Sequence, residues 1–109
     1  MIVKLLNNAE RAYFGIKGQD LPRSVMINSG LEAGVYISEV ENASPALNAG
    51  IKAGDIIVSL AGQQVTGMDS FHNILLERSV REIVVVKLMR SAEDGMREMT
   101  VEVPLAVKN

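Results

Sequence analysis

The chain has 109 residues, 48% of them hydrophobic and 22% charged, with a formal net charge of -2; that suffices for one domain with its own core and excludes a strongly basic nucleic-acid surface. Cysteine is absent, so disulfides, thiolate metal ligands and thiol redox chemistry are excluded. The longest apolar runs, such as Ile83 to Val86, are far too short to cross a bilayer, and the first residues lack the shape of a signal peptide.

Ile2, Val3, Leu5 and Leu6, followed by Asn7 to Glu10, read as a short amphipathic helix that must dock on something to persist. Tyr13, Phe14 and Ile16 form a β-prone run interrupted by Gly15, where the sequence predicts a close approach of another backbone or a ligand. Gln19 to Gly34, with Pro22, Asn28, Gly30 and Gly34, reads as an irregular excursion holding at most a brief strand around Val25 to Ile27. Val35 to Val40 alternates as a strand, with Val35, Ile37 and Val40 toward the core.

Ser44 to Gly62 carries the densest local signals. Ser44 caps a short helix, Pro45 suits its first position, and Gly50 sits where a left-handed stop belongs. Ala53-Gly54-Asp55 turns the chain into a buried strand, Ile56 to Leu60. After the Ala61-Gly62 turn, Gln63 to Val65 adds a short strand. Asp69 or Ser70 caps a helix running to about Arg78, with Phe71, Ile74, Leu75 and Arg78 on its core face. Glu82 to Arg90 is a strand with Val84, Val86 and Leu88 on one side and Ile83, Val85 and Lys87 on the other. Ser91 to Met96 reads as the hairpin loop, Arg97 to Val107 as the partner strand, and Pro104 as its exit.

Catalytic and metal chemistry find little footing. Asp69, Ser70 and His72 contain the residue types of a serine triad, but on a helix Ser70 and His72 face opposite sides. One histidine and dispersed carboxylates do not make a metal site, and the glycines match no phosphate-binding pattern. No cofactor is expected. The methionines at 26, 68, 89, 96 and 99 read as core or edge filler.

Taken together, Ser44-Pro45-Ala46, Ala49-Gly50-Ile51-Lys52 and Gly54-Asp55-Ile56-Ile57 closely resemble the central signature of PDZ domains, in particular those that follow the protease domain of HtrA-type serine proteases. Tyr13-Phe14-Gly15-Ile16 resembles that family's carboxylate-binding loop, Ser70-Phe71 the start of its second helix, and Val84 to Arg90 the following strand. Two departures stand out: Ala61 replaces the usual Asn before Gly62, and residues 79 to 82 lack the expected glycine turn.

The resemblance implies a mainly β fold, a partly open barrel or sandwich of five to six strands capped by two α-helices. Residues 1-11 would be a connector helix from an upstream domain and 12-109 the PDZ domain, non-catalytic in itself. The N–H groups of Phe14, Gly15 and Ile16 would receive a peptide's C-terminal carboxylate, and the strand from Ile16 would pair with the peptide. Tyr13, Phe14, Ile16, Lys17, Gly18, Met68, His72 and Leu75 would line the groove. His72 there would tune binding through protonation between about pH 5 and 7, whereas on its own it reads as a solvated helix histidine. Met68 stands where many PDZ domains carry a histidine, which implies ligands with an apolar last residue and no Ser or Thr requirement.

The partners implied are peptide or protein C-termini or exposed hydrophobic segments, and an upstream protease domain that this domain would regulate or supply with substrate, with neither nucleic acid nor membrane insertion, in the bacterial periplasm or on the extracytoplasmic face of the membrane. The alternative is an interaction domain whose groove is filled by its own chain or a neighbouring subunit.

Overall fold

Local signals account for the order of the elements in a computed structural model that describes residues 11-93 and 95-108. They are β1 (Arg11–Tyr13), β2 (Ile16–Asp20), α1 (Arg23–Ser29), β3 (Val35–Val40), α2 (Pro45–Asn48), β4 (Ile56–Leu60), β5 (Gln63–Gln64), α3 (Met68–Leu76), β6 (Ile83–Ala92), β7 (Gly95–Pro104) and β8 (Ala106–Lys108). The large sheet has the order β2-β3-β4-β6-β7, with β5 added to β4, and all its pairings are antiparallel. β1 and β8 form a separate two-stranded sheet. The expected connector helix lies outside the described residues except for Arg11, which opens β1.

Period-two burial fixes which face of the sheet is core. In β6, Val84, Val86 and Leu88 are buried while Ile83, Val85 and Lys87 face outward, as their alternation predicts. They pack with Val35, Ile37, Ile57, Leu60 and Val103. Two helices close this layer: α2 contributes buried Pro45 and Ala46, and α3 contributes buried Phe71 and Ile74.

Buried Asp55 joins three segments at the start of β4. Its carboxylate accepts from Arg90 Nε at 2.9 Å and Nη2 at 2.7 Å, and from the N–H of Lys52 at 2.9 Å. Arg90 Nη2 also donates to the Gly50 carbonyl at 2.9 Å. The fork thus ties the exit of α2 to β4 and β6 with charge-assisted bonds, and the bond to Asp55 raises the guanidinium's pKa although burial works against it.

The expected open, helix-capped, mainly β fold is present, with five local corrections. The single strand expected from Arg97 to Val107 breaks after Pro104, and Ala106–Lys108 leaves the large sheet to pair with β1. The Gln19 to Gly34 excursion contains α1, a third helix, so Val25 to Ile27 is helical rather than extended. The Pro22 carbonyl accepts from Val25 and Met26, and Gly30, at a φ of 77°, stops the helix. None of its residues is buried, so it has no core-facing stripe for periodicity to detect.

The β6–β7 hairpin runs further than expected. Ala92 pairs with Gly95, so strand pairing occupies most of the predicted Ser91 to Met96 loop. Helix α3 ends at Leu76, short of Arg78, and the N–H groups of Glu77 and Arg78 bond the carbonyls of Ile74 and Leu75 three residues back, the tightened turn that satisfies a helix end. Neither Asp69 nor Ser70 is the N-cap residue of α3. That position is Gly67, and Ser70 instead reaches back to accept from the N–H groups of Thr66 and Gly67 at 2.8 and 3.2 Å.

Candidate functional site

β2 lies at the end of the large sheet, so among the described residues one of its edges has no partner strand. A row of backbone groups is therefore available along Ile16 to Asp20, next to α3. The direction of those groups follows from their neighbours. The carbonyl of Gly15 accepts from Glu41 N–H at 2.8 Å, and that of Lys17 accepts from Ser38 Oγ at 3.0 Å, both toward the β3 side. Alternation then turns the Ile16 carbonyl to the open side.

The Phe14-Gly15 loop is held from beneath. The Phe14 carbonyl accepts from Ala46 N–H at 3.0 Å, at the start of α2, and Tyr13 Oη donates to Glu41 Oε1. That bond, then burial, then the nearby carboxylate charge raise the Tyr13 phenol above its ordinary pKa. The loop's carbonyls are consumed by the scaffold. The N–H groups of Phe14 and Gly15 find no acceptor among the described residues. Two backbone donors beside a free strand edge suit an anion such as a carboxylate.

Gly15 meets the expected close approach from another segment of the chain. Its φ is 98°, and a Cβ there would overlap Ser44 Cβ and come within 2.6 Å of Ser44 Oγ. The close neighbour is the cap of α2. Ser44 is fully buried, and its Oγ accepts from Leu47 N–H at 3.1 Å. One serine therefore starts the helix and supports the loop.

The groove residues differ in how far they are buried. The Phe14 side chain is sealed in the core, edge-on to Phe71 with ring centroids 5.3 Å apart, so the loop presents it through its backbone. Ile16, Met68 and Leu75 are half-buried and pack against the core from β2 and α3. Lys17 is exposed and 3.9 Å from Glu39, and His72 is exposed on α3, one turn beyond Met68. Gly18 gives Met68 room: the Met68 sulfur lies 3.3 Å from where a Gly18 Cβ would stand.

Asp20 was missed by sequence reasoning. Its Oδ1 accepts from Met68 N–H at 2.8 Å, bridging β2 and the first turn of α3 across 48 residues of sequence. No local signal marks it, because the sequence offers Asp69 or Ser70 as the cap of that helix. Glu41 and Ser44 were likewise not read as supports of the loop. Among the described residues no cluster of His, Asp or Glu is arranged to hold a metal ion, and no helix is long and apolar enough to cross a membrane.

Comparison with known proteins places the chain among relatives. A family model described as a PDZ domain matches residues 12–105. The chain is 36% identical to the serine protease Do-like HtrA of Bacillus subtilis over 109 residues, covering 91% of this chain and 23% of that protein. It is 32% identical to a probable periplasmic serine endoprotease DegP-like of Marinomonas, covering 84% of this chain and 20% of the relative. The chain thus spans about a fifth of the length of these curated relatives.

Among solved structures it is similar to the HtrA3 PDZ domain bound to a phage-derived ligand, FGRWV, with a TM-score of 0.73, 21% identity and coverage of 90% of this chain and 88% of that one. It is also similar to the HtrA-type protease AlgW with a decapeptide, with a TM-score of 0.78, 17% identity and coverage of 92% and 30%.

Proposed function

The chain belongs to the PDZ domain family, and from that premise we propose that it binds peptide or protein C-termini by adding them as a strand to β2. The observation that carries this reading is that, among the described residues, the β2 edge has no partner strand and begins beside two backbone N–H groups, those of Phe14 and Gly15, without acceptors. The terminal carboxylate is received by Phe14, Gly15 and Ile16. Its last side chain lies between Ile16 and Leu75, and Gly18, Met68 and His72 flank the residues before it, with Tyr13 and Lys17 at the margins.

Affinity is modest on physical grounds. One buried aliphatic side chain contributes about 1.5 to 3 kcal/mol and each backbone bond about 0.5 to 1.5, against the cost of association, so the dissociation constant is on the order of micromolar. Half-buried Met68 offers a thioether where a hydroxyl would need a stronger partner, which supports an apolar terminal residue with no Ser or Thr requirement. By likeness to its relatives, the domain regulates or feeds a serine protease domain in a longer protein. Relatives named as periplasmic serine endoproteases support an extracytoplasmic setting.

The chain contains no tryptophan, so the indole of FGRWV, the peptide bound by HtrA3, is a clean fluorescent probe. Titration is expected to give saturable binding, with amide shifts at Phe14, Gly15 and Ile16. Blocking the peptide's C-terminus as an amide should weaken binding at least about tenfold, the scale of a lost charge-assisted bond. Equal binding of the amidated peptide would exclude carboxylate recognition.

A further inference from the structure

The two walls of the groove are tied together at the end away from the carboxylate loop. The hydrogen bond from Met68 N–H to Asp20 Oδ1, at 2.8 Å, is the only one between β2 and α3 among the described residues. A Cβ on Gly67 would stand 2.8 Å from the same oxygen, so the carboxylate is seated against the start of the helix. Gly67 has no side chain to cap the helix, and a carboxylate at a helix N-terminus both satisfies an orphan donor and meets the favourable end of the dipole. Two residues earlier on β2, the Met68 sulfur borders Gly18, 3.3 Å from where its Cβ would stand. The first turn of α3 is therefore placed by β2 at two points.

We propose that Asp20 is a positioning residue for ligand recognition: by holding Met68 it sets the room between Gly18 and α3, and with it selectivity at the ligand's third residue from the end. The proposal rests on the peptide-binding reading. A strand added to β2 advances one residue per residue. If its last residue lies beside Ile16, the third from last lies beside Gly18, in the space that Met68 bounds. Asp20 follows at the far end and turns its carboxylate to the helix instead of the ligand. It acts on the ligand only through Met68.

The test compares wild type, D20A and D20N with FGRWV, FGAWV and FGLWV, by tryptophan fluorescence. Asp20 is exposed, so both variants should keep the wild-type circular dichroism. Asparagine retains an acceptor oxygen and should preserve the Leu-to-Ala preference at the third position from the end, whereas D20A should change that preference by about threefold or more, the scale of one lost hydrogen bond. Faster exchange of the Met68 amide is expected in D20A alone. A uniform loss of affinity for all three peptides in D20A, or no loss, would overturn the positioning role while leaving peptide binding intact. Failure of wild type to bind any of them would overturn the peptide-binding reading itself and this proposal with it.

Discussion

Gly15 rests directly on Ser44. The loop glycine has a φ of 98°, and the space a side chain would need is taken by the serine's Cβ and Oγ. The loop that offers N–H groups is thereby built on the residue that starts α2, and the two cannot vary independently. Gly15→Ala should cost more than about 2 kcal/mol, combining left-handed strain with the overlap, and should abolish peptide binding. Ser44→Gly alone should cost only a few tenths, since glycine is a tolerated cap. In urea denaturation the double variant should recover part of the Gly15→Ala loss, by about 1 kcal/mol, because the overlap is relieved and the strain is not. Strict additivity would show that Ser44 is not what excludes a side chain at Gly15.

The two departures from the PDZ pattern coincide with backbone strain. Ala61 has a φ of 53° and is followed by Gly62 at 80°, in the two-residue turn that joins Leu60 to its pair Gln63. Such a turn needs left-handed conformations at both positions, which Asn and Gly adopt with less strain than Ala. Arg81 has a φ of 66° in the turn between α3 and β6. Ala61→Gly and Arg81→Gly should each stabilise the domain by about 0.5 to 1 kcal/mol, net of glycine's greater freedom when unfolded. Denaturant midpoints at or below wild type would remove the strain argument.

Legibility in the sequence followed the range of the interactions. Ser44, Pro45 and Gly50 mark α2 through bonds within a few residues, and the buried alternation of Val84, Val86 and Leu88 needs no knowledge of the partner strand. The role proposed for the Tyr13 to Gly18 segment rests on resemblance and on the β2 edge beside it. What escaped was long-range or lacked a core face. Asp20 caps a helix 48 positions away, Glu41 braces the loop from beyond β3, and α1 presents no buried stripe. Side-chain partners of that kind leave no periodic trace, because each is a single residue whose meaning depends on the fold already formed.

The bond from Tyr13 to Glu41 supplies a pH dependence. It holds the phenol's pKa above the ordinary 10.0, first through the hydrogen bond and then through burial and the carboxylate's charge. The folded chain binds this proton more tightly than the unfolded chain, so the bond's stabilisation is complete below pH 10 or so and is lost as the pH rises through the folded value. Spectrophotometric titration at alkaline pH should show a raised phenol step that disappears in Tyr13→Phe. The same variant should lose about 1 kcal/mol at neutral pH and show a flatter decline in stability above pH 10. A Tyr13→Phe variant whose stability falls with pH as steeply as wild type would exclude this bond as the source.

Met68 offers the most direct handle on specificity. It is half-buried on the first turn of α3, with its sulfur against the space beside Gly18. A thioether packs well against apolar side chains and is a weak hydrogen-bond acceptor, so the wild-type groove has no reason to favour a hydroxyl there. Met68→His introduces a ring nitrogen able to bond one, while Gly18 still provides the room. With the third residue from the end of the peptide set to Thr or to Val, the variant should bind the Thr peptide better, by about 2- to 13-fold, the range of one hydrogen bond. Wild type should show no such preference. If wild type already selected Thr or Ser at this position, the donor or acceptor would have to be another group, and exposed His72, one turn along the helix, would be the residue to replace next.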